Sequence, residues 1–187
     1  MNQYNSFSDE DLVDIIVNDH QHELFAILYH RYYRKVTDKC HSLLKNRPQA
    51  EEFAEDIFSK VFEKVDTFKG NSSFSSWLYS ITYNHCIDYL RLKKKMHYPQ
   101  WNSKNELPEI IDDSDDEPQS IDYENLKAIL DMIHPEEKAL LLMKYQDNLS
   151  MKQISQSLRI TEDAVKMRTK RARMRVLYLY SQQFNNN

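Results

Sequence analysis

One glycine in 187 residues closes several possibilities at once. Loops that cradle phosphates need repeated residues able to take positive φ or let backbone approach closely, so a glycine-rich nucleotide loop is excluded. Five prolines, with plentiful Leu, Ile, Lys and Glu, argue for helices and against an all-β fold. The two cysteines, Cys40 and Cys86, sit within helical patterns. With no signal peptide they read as buried reduced thiols rather than a disulfide. Apolar runs such as Ala139 to Met143 are far short of the roughly 20 residues that cross a bilayer, so membrane insertion is not expected. The first residues are polar and acidic where a secretion signal needs a positive start and an apolar core, and the expected location is the cytoplasm. Seven histidines are present, yet none falls in a His-Glu-x-x-His, and there is no Cys-x-x-Cys. His85 and Cys86 are neighbours, which on a helix point about 100° apart and chelate poorly. The expectation is no metal, no cofactor and no active site: a non-enzyme.

What is present is an uneven charge. The net value of −4 hides the segment 159–175, where Arg159, Lys166, Arg168, Lys170, Arg171, Arg173 and Arg175 face only Glu162 and Asp163. That segment closes a recognisable unit. Ser150 and Gln153 form an S-x-x-Q capping box, and Met151, Ile154 and Leu158 give a short helix one apolar face. A tight break follows at Arg159–Ile160. Thr161 supplies a second N-cap, with Glu162 and Asp163 where the helix dipole favours negative charge. In the second helix Val165, Thr169, Ala172 and Val176 make a narrow inner face, while Lys166, Lys170 and Arg173 make a basic stripe flanked by Arg168, Arg171 and Arg175. Two short helices, a tight turn and a basic outer face read as a helix-turn-helix; the plainer alternative is a solvated basic helix end.

Upstream, Ser8-Asp9-Glu10 begins a short helix with Leu12, Ile15 and Ile16 on one side. A helix over about 21–45 follows, its apolar positions Phe25, Leu28, Tyr32, Val36, Cys40 and Leu43, ended by Asn46-Arg47-Pro48. The next, about 49–67, carries Phe53, Ala54, Ile57, Phe58, Val61, Phe62 and Val65, bordered by Glu51, Glu52, Glu55, Asp56 and Glu63. A band that wide either leaves surface for a partner or is buried on both sides. The loop containing Gly70 leads into a helix over 74–95, with Phe74, Trp77, Leu78 and Ile81 inward and Arg91, Lys93, Lys94 and Lys95 at its far end. Those cations suit the helix dipole or phosphate contact equally. Periodicity stops between Met96 and about Ser120, an acidic, proline-punctuated stretch including Asp112–Glu117. Leu126, Ile129, Leu130 and Ile133 restart a helix. Pro135 opens another with Leu140, Leu141 and Met143, and Asn148 suits a left-handed turn into Ser150.

The stretch GNSSFSSWLYSITYNHCIDYLR, preceded by AEEFAEDIFSKVFEKVDTF, resembles the second conserved region of bacterial RNA polymerase sigma factors of the extracytoplasmic-function (ECF) group. The helix-turn-helix resembles their fourth region. The resemblance implies an all-α chain of two small helical domains: residues 5–97 for core polymerase binding and −10 recognition and melting, 121–182 for −35 recognition, with 98–120 an acidic flexible linker. It implies core RNA polymerase and promoter DNA as partners. Control by an anti-sigma factor is common in such proteins, and no residue here marks it.

By the same resemblance Glu52, Phe53, Glu55, Asp56 and Phe58 match the motif that docks on the clamp helices of the large polymerase subunit, although glutamine is usual at position 55. Phe68, Tyr79 and Asn84 match a pocket that captures a base flipped from the −10 element, with Gly70, Asn71 and Ser72 lining it and Trp77 bracing it. An aromatic stacks on an unpaired base and an amide reads its edge. Arg91, Lys93 and Lys94 would hold phosphates nearby. Lys166, Met167, Lys170 and Arg171 match positions facing −35 bases, and Arg168, Arg173 and Lys152 suit phosphates. Met167 stands where a small polar residue is common and Thr169 where a larger apolar one is, which implies looser packing of that helix. The acidic linker would thread toward the RNA exit channel and mask the basic helices in the free protein. A competing class is a stand-alone helix-turn-helix regulator binding a palindrome as a dimer without polymerase; a third is a helical adaptor with no DNA role. The first leaves residues 49–95 unexplained, and the second the basic stripe.

Overall fold

The structure, a computed structural model, describes residues 4, 6–93, 95–96 and 122–184. Lys94 and the acidic stretch at 98–120, with its expected threading and masking roles, lie outside the described residues. Among those described there are helices and no strands.

The first region is built from α1 (Asp9–Asn18), α2 (Phe25–Leu44), α3 (Arg47–Glu63) and α4 (Phe74–Leu92). Each starts where a side chain can satisfy orphan amides. Ser8 and Asp11 form a reciprocal capping box for α1, Asn46 accepts from the Gln49 amide at the head of α3, and Ser73 accepts from the Ser76 amide at the head of α4. Helix α2 is shorter than its periodicity suggests: His22–Leu24 is a separate 3-10 turn, and Lys45 closes the helix with φ of 56°. Helix α4 ends at Leu92 rather than Lys95. Helices α2, α3 and α4 pack on one another, burying Leu28, Val36 and Cys40 with Ala54, Ile57, Val61, Leu78, Tyr83 and Cys86. Both cysteines are buried and unbonded.

The second region comprises α5 (Tyr123–Met132), α6 (Pro135–Leu141), α7 (Met151–Leu158) and α8 (Glu162–Phe184). Helix α6 runs on into a π-helical turn, Leu142–Gln146, which no periodicity announces. The helix-turn-helix forms as its caps dictate. The Ser150–Gln153 box is present, Arg159 takes φ of 56° to end α7, and Thr161 Oγ1 accepts from the Ala164 amide at 3.1 Å. Val165, Thr169, Ala172 and Val176 are the buried face of α8. Thr169 is fully enclosed but its hydroxyl has no hydrogen-bond partner. Thr169→Val keeps the shape and removes that unsatisfied group, so it should raise unfolding stability by about 1 kcal/mol in urea titration. A loss of stability would show that the hydroxyl is satisfied after all.

The two regions are not separate bodies. Ala139, Leu140, Met143, Leu149, Ile154, Leu158 and Val165 continue the same core as Leu78, Tyr83 and Ile87, with α7 laid across α4. A smaller cluster of Ile129, Ile133, Leu141, Ala172 and Val176 holds α5, α6 and α8 together.

Candidate nucleic-acid interface

The loop before α4 makes a cleft. Gly70 sits at φ of +65°, a conformation in which a side chain is strained, so the chain's single glycine is spent on this turn. The turn brings Phe68 back onto α4, its ring 5.4 Å from Trp77 and 5.9 Å from Phe74. Trp77, Ile81, Asn84 and Asp88 recur at helical spacing along one side of α4. With Phe68, Asn71 and Ser72 they line an open cleft of about 640 Å³. Lys60 and Lys64 from the end of α3, and Lys69 from the loop, add positive charge along its rim. Aromatic faces, amides and cations are a lining suited to an unpaired, phosphate-linked base.

Three of those cations were missed by sequence reading, although Lys60 and Lys64 stand one turn apart on the polar side of α3. His85 was missed as well; it meets Lys60 Nζ at 2.8 Å and packs edge-on against Phe53. Burial, helped by Lys60, lowers the His85 pKa below 6.5, and burial lowers that of His134 likewise. Each folded imidazole therefore binds fewer protons than the unfolded one. Stability rises with pH through the window that ends near 6.5 and is lost as pH falls through it. Relative to His85→Gln with His134→Asn, the wild-type chain should lose unfolding free energy between pH 6.5 and 5, by no more than about 1.4 kcal/mol per pH unit for each histidine, seen as a falling melting temperature. Parallel melting curves for the two proteins would refute this.

On α8, Lys166, Lys170 and Arg173 are exposed, and Met167 is half-exposed at 51%. Arg171 lies partly buried beside them. Lys166 reaches back to Asp163 at 3.6 Å, and Lys152 is exposed on α7. The expected base-facing residues thus share an accessible basic face.

Two family models match the chain: Sigma-70 region 2 over residues 28–96 and Sigma-70, region 4 over residues 123–176. Among curated proteins, the ECF RNA polymerase sigma factor SigW of Bacillus subtilis is 28% identical over 160 residues, 81% of this chain and 86% of that one. SigX of the same organism is 23% identical over 157 residues, 77% of each. The chain belongs to the ECF sigma factors. Its fold is similar to that of CnrH in complex with the cytosolic domain of CnrY, with a TM-score of 0.60 and 16% identity over 94% of this chain and 98% of that one. It is also similar to that of RpoE in complex with the anti-sigma factor NepR from Bartonella quintana, with a TM-score of 0.58 and 18% identity over 85% and 98%. As a sigma factor the chain is a transcription-initiation factor for core RNA polymerase at promoter DNA, not an enzyme. No helix among the described residues is long and apolar enough to cross a membrane.

Several positions in this sigma factor differ from the sequence expectation. Tyr79 does not enter the cleft. Two residues past Trp77 it points to the other side of α4, its ring 4.2 Å below the Lys39 ammonium and 6.1 Å from Tyr32. Burial there raises its pKa to about 12. Arg91 is turned inward: it donates to both oxygens of Glu136 at 2.7 and 3.0 Å. Arg168 donates to the same carboxylate at 2.6 Å. Lys93, at the end of α4, is exposed.

The wide apolar band of α3 is buried rather than left open. Phe53, Ala54, Ile57, Phe58 and Val61 all belong to the core because α2 and α4 cover both flanks. Phe58 meets Phe25 and Tyr29, and Phe53 meets His85 and Tyr89. The accessible side of α3 is instead acidic, carrying Glu51, Glu52, Glu55 and Asp56, with the half-exposed Phe62 at its end. Tyr29 Oη donates to Glu55 at 2.9 Å, and burial together with that carboxylate lifts the tyrosine pKa to about 12.

Proposed function

We propose that this sigma factor divides promoter recognition between its two regions, residues 5–97 and 121–182, joined by 98–120. The cleft of Phe68, Trp77 and Asn84 takes an unstacked base of the −10 element, with Asn71 and Ser72 on its edge and Lys93 and Lys94 on nearby phosphates. The exposed face of α8 enters the −35 major groove, Lys166, Met167, Lys170 and Arg171 toward bases and Arg173 toward phosphate. The acidic side of α3, through Glu52, Glu55 and Asp56, docks on core polymerase, and Phe53 and Phe58 hold that helix in place from beneath. A partnership with polymerase supports a cytoplasmic location. An anti-sigma factor is a further partner in this reading, supported by the solved RpoE in complex with the anti-sigma factor NepR.

The observation carrying this reading is that one chain pairs an aromatic and amide cleft with a separate exposed basic helix. Each alone has limited affinity; carried together on polymerase, the second contact benefits from a high effective concentration. Stacking in the cleft then offsets part of the base stacking lost on melting. Run-off transcription with purified core polymerase on genomic fragments tests it. Discrete start sites that depend on adding the chain are expected. Transcripts that are the same with and without it would refute the assignment.

A further inference from the structure

The turn that carries the chain's single glycine is held from outside itself. Helix α4 begins at Phe74, and the first amides of a helix have no partner within it. Ser73 meets one of them by accepting from the Ser76 amide. The Phe74 amide is met by a residue 64 positions earlier: Glu10 Oε1, on the first turn of α1, accepts from it at 2.8 Å. Phe74 is fully buried, so a donor there needs an acceptor brought to it by the fold. A carboxylate at that end of a helix is also favoured by the helix dipole.

Phe74 is the residue on which the aromatic wall of the cleft is built. Its ring lies 5.9 Å from Phe68 and 5.8 Å from Trp77, and it also meets Tyr32 of α2 at 5.7 Å. Asp9, the neighbour of Glu10, fixes that last contact: it accepts from Tyr32 Oη and, at 2.6 Å, from Arg31 Nη1. Consecutive helical residues point about 100° apart, so one turn of α1 reaches α2 with Asp9 and the head of α4 with Glu10. Leu12 and Ile16, each fully buried, anchor α1 independently of both acids. The helix also packs on the 3-10 turn Val65–Thr67, which leads into Phe68. Both ends of the loop 68–73 are therefore braced by α1, although none of its residues lines the cleft.

We propose that Glu10 is a positioning residue for capture of the −10 base: by holding the Phe74 amide it fixes the loop 68–73 and the open face of Phe68 before DNA arrives. Base capture by the cleft is the reading on which this rests. The physical basis is preorganisation. A loop ordered in advance adds no ordering cost to the binding step, whereas a loosened one holds the competent arrangement only part of the time and lowers apparent affinity by that fraction. Removing one typical hydrogen bond shifts such an equilibrium about fivefold. The effect should fall on the step that captures the base, since core docking and −35 binding are assigned to other helices, α3 and α8.

The test uses the full chain with core polymerase, as wild type, Glu10→Ala and Glu10→Gln. Each is given an intact promoter and one made abasic at the non-template −10 position whose loss slows the wild type most. Glu10→Ala should form open complexes about fivefold more slowly on the intact promoter, with closed-complex and core-polymerase affinities unchanged. On the abasic promoter it should match the wild type, because no base is left to capture. Glu10→Gln keeps an oxygen able to accept from the Phe74 amide and should recover most of the rate. Wild-type rates for Glu10→Ala on intact DNA would overturn the proposal. So would an equal loss on intact and abasic DNA, or weakened core binding, either of which would make Glu10 a general stabiliser of the fold. A Glu10→Gln chain as slow as Glu10→Ala would overturn the hydrogen bond as the cause. If no abasic substitution in the −10 element slows the wild type, the base-capture reading of the cleft itself fails, and the role of Glu10 with it.

Discussion

Lys166→Ala combined with Arg171→Ala should change which promoters are used, not merely how strongly. Side chains that meet base edges in the major groove contribute about 1–3 kcal/mol each toward discrimination, so losing two should reduce preference by roughly fivefold to about 150-fold at each contacted step. Both residues lie at the accessible side of α8, with Lys166 at 61% side-chain exposure. Arg173, two residues beyond Arg171 and also exposed, is the contrast. Its removal should weaken binding to all sequences alike and lower the salt slope by about 1. Selection of preferred −35 sequences by each holoenzyme separates the cases. Unchanged preference in the double variant, with uniformly weaker binding, would mean that Lys166 and Arg171 touch only phosphates.

The second large effect should come from Phe68→Ala. A base stacked on an aromatic ring gains about 1–3 kcal/mol, so open-complex formation should fall roughly tenfold to a hundredfold while −35 binding is unchanged. Phe68 is suited to this because it is only partly buried: the ring leans on Phe74 and Trp77 and leaves an open side to the cleft. Tyr79→Phe is the matched control. Its ring lies under Lys39 on the far side of α4, so permanganate footprinting of the melted −10 segment should not distinguish it from wild type. A loss of melting equal to that of Phe68→Ala would mean that the Tyr79 hydroxyl also acts in melting and that the ring does not stay under Lys39.

The local elements were legible because their signals are local. The cap at Ser8, the capping box at Ser150, the left-handed Asn148, the break at Arg159, Pro135 at the head of α6 and the buried stripe of α8 each depend on residues within one or two turns. The π-helical turn at Leu142–Gln146 was not legible, since no spacing of apolar residues marks where one helical hydrogen-bond register gives way to another. The band on α3 shows the same limit. Its period gave the helix, but whether Phe53 and Phe58 meet a partner or the core depends on α2 and α4 arriving from elsewhere in the chain.

By itself, then, the order of residues determined an all-α chain, the helix-turn-helix, the aromatic and amide set around Gly70 and the family. Periodicity, capping and motif are properties of neighbouring residues, and they survive whatever the rest of the chain does. Only tertiary packing decided that Tyr79 leaves the cleft, that Lys60 and Lys64 join it, and that Glu136 and Asp147 hold the two regions against each other. Charges separated by 45 and 108 positions become partners only when folding brings them within hydrogen-bond reach and removes the water between them.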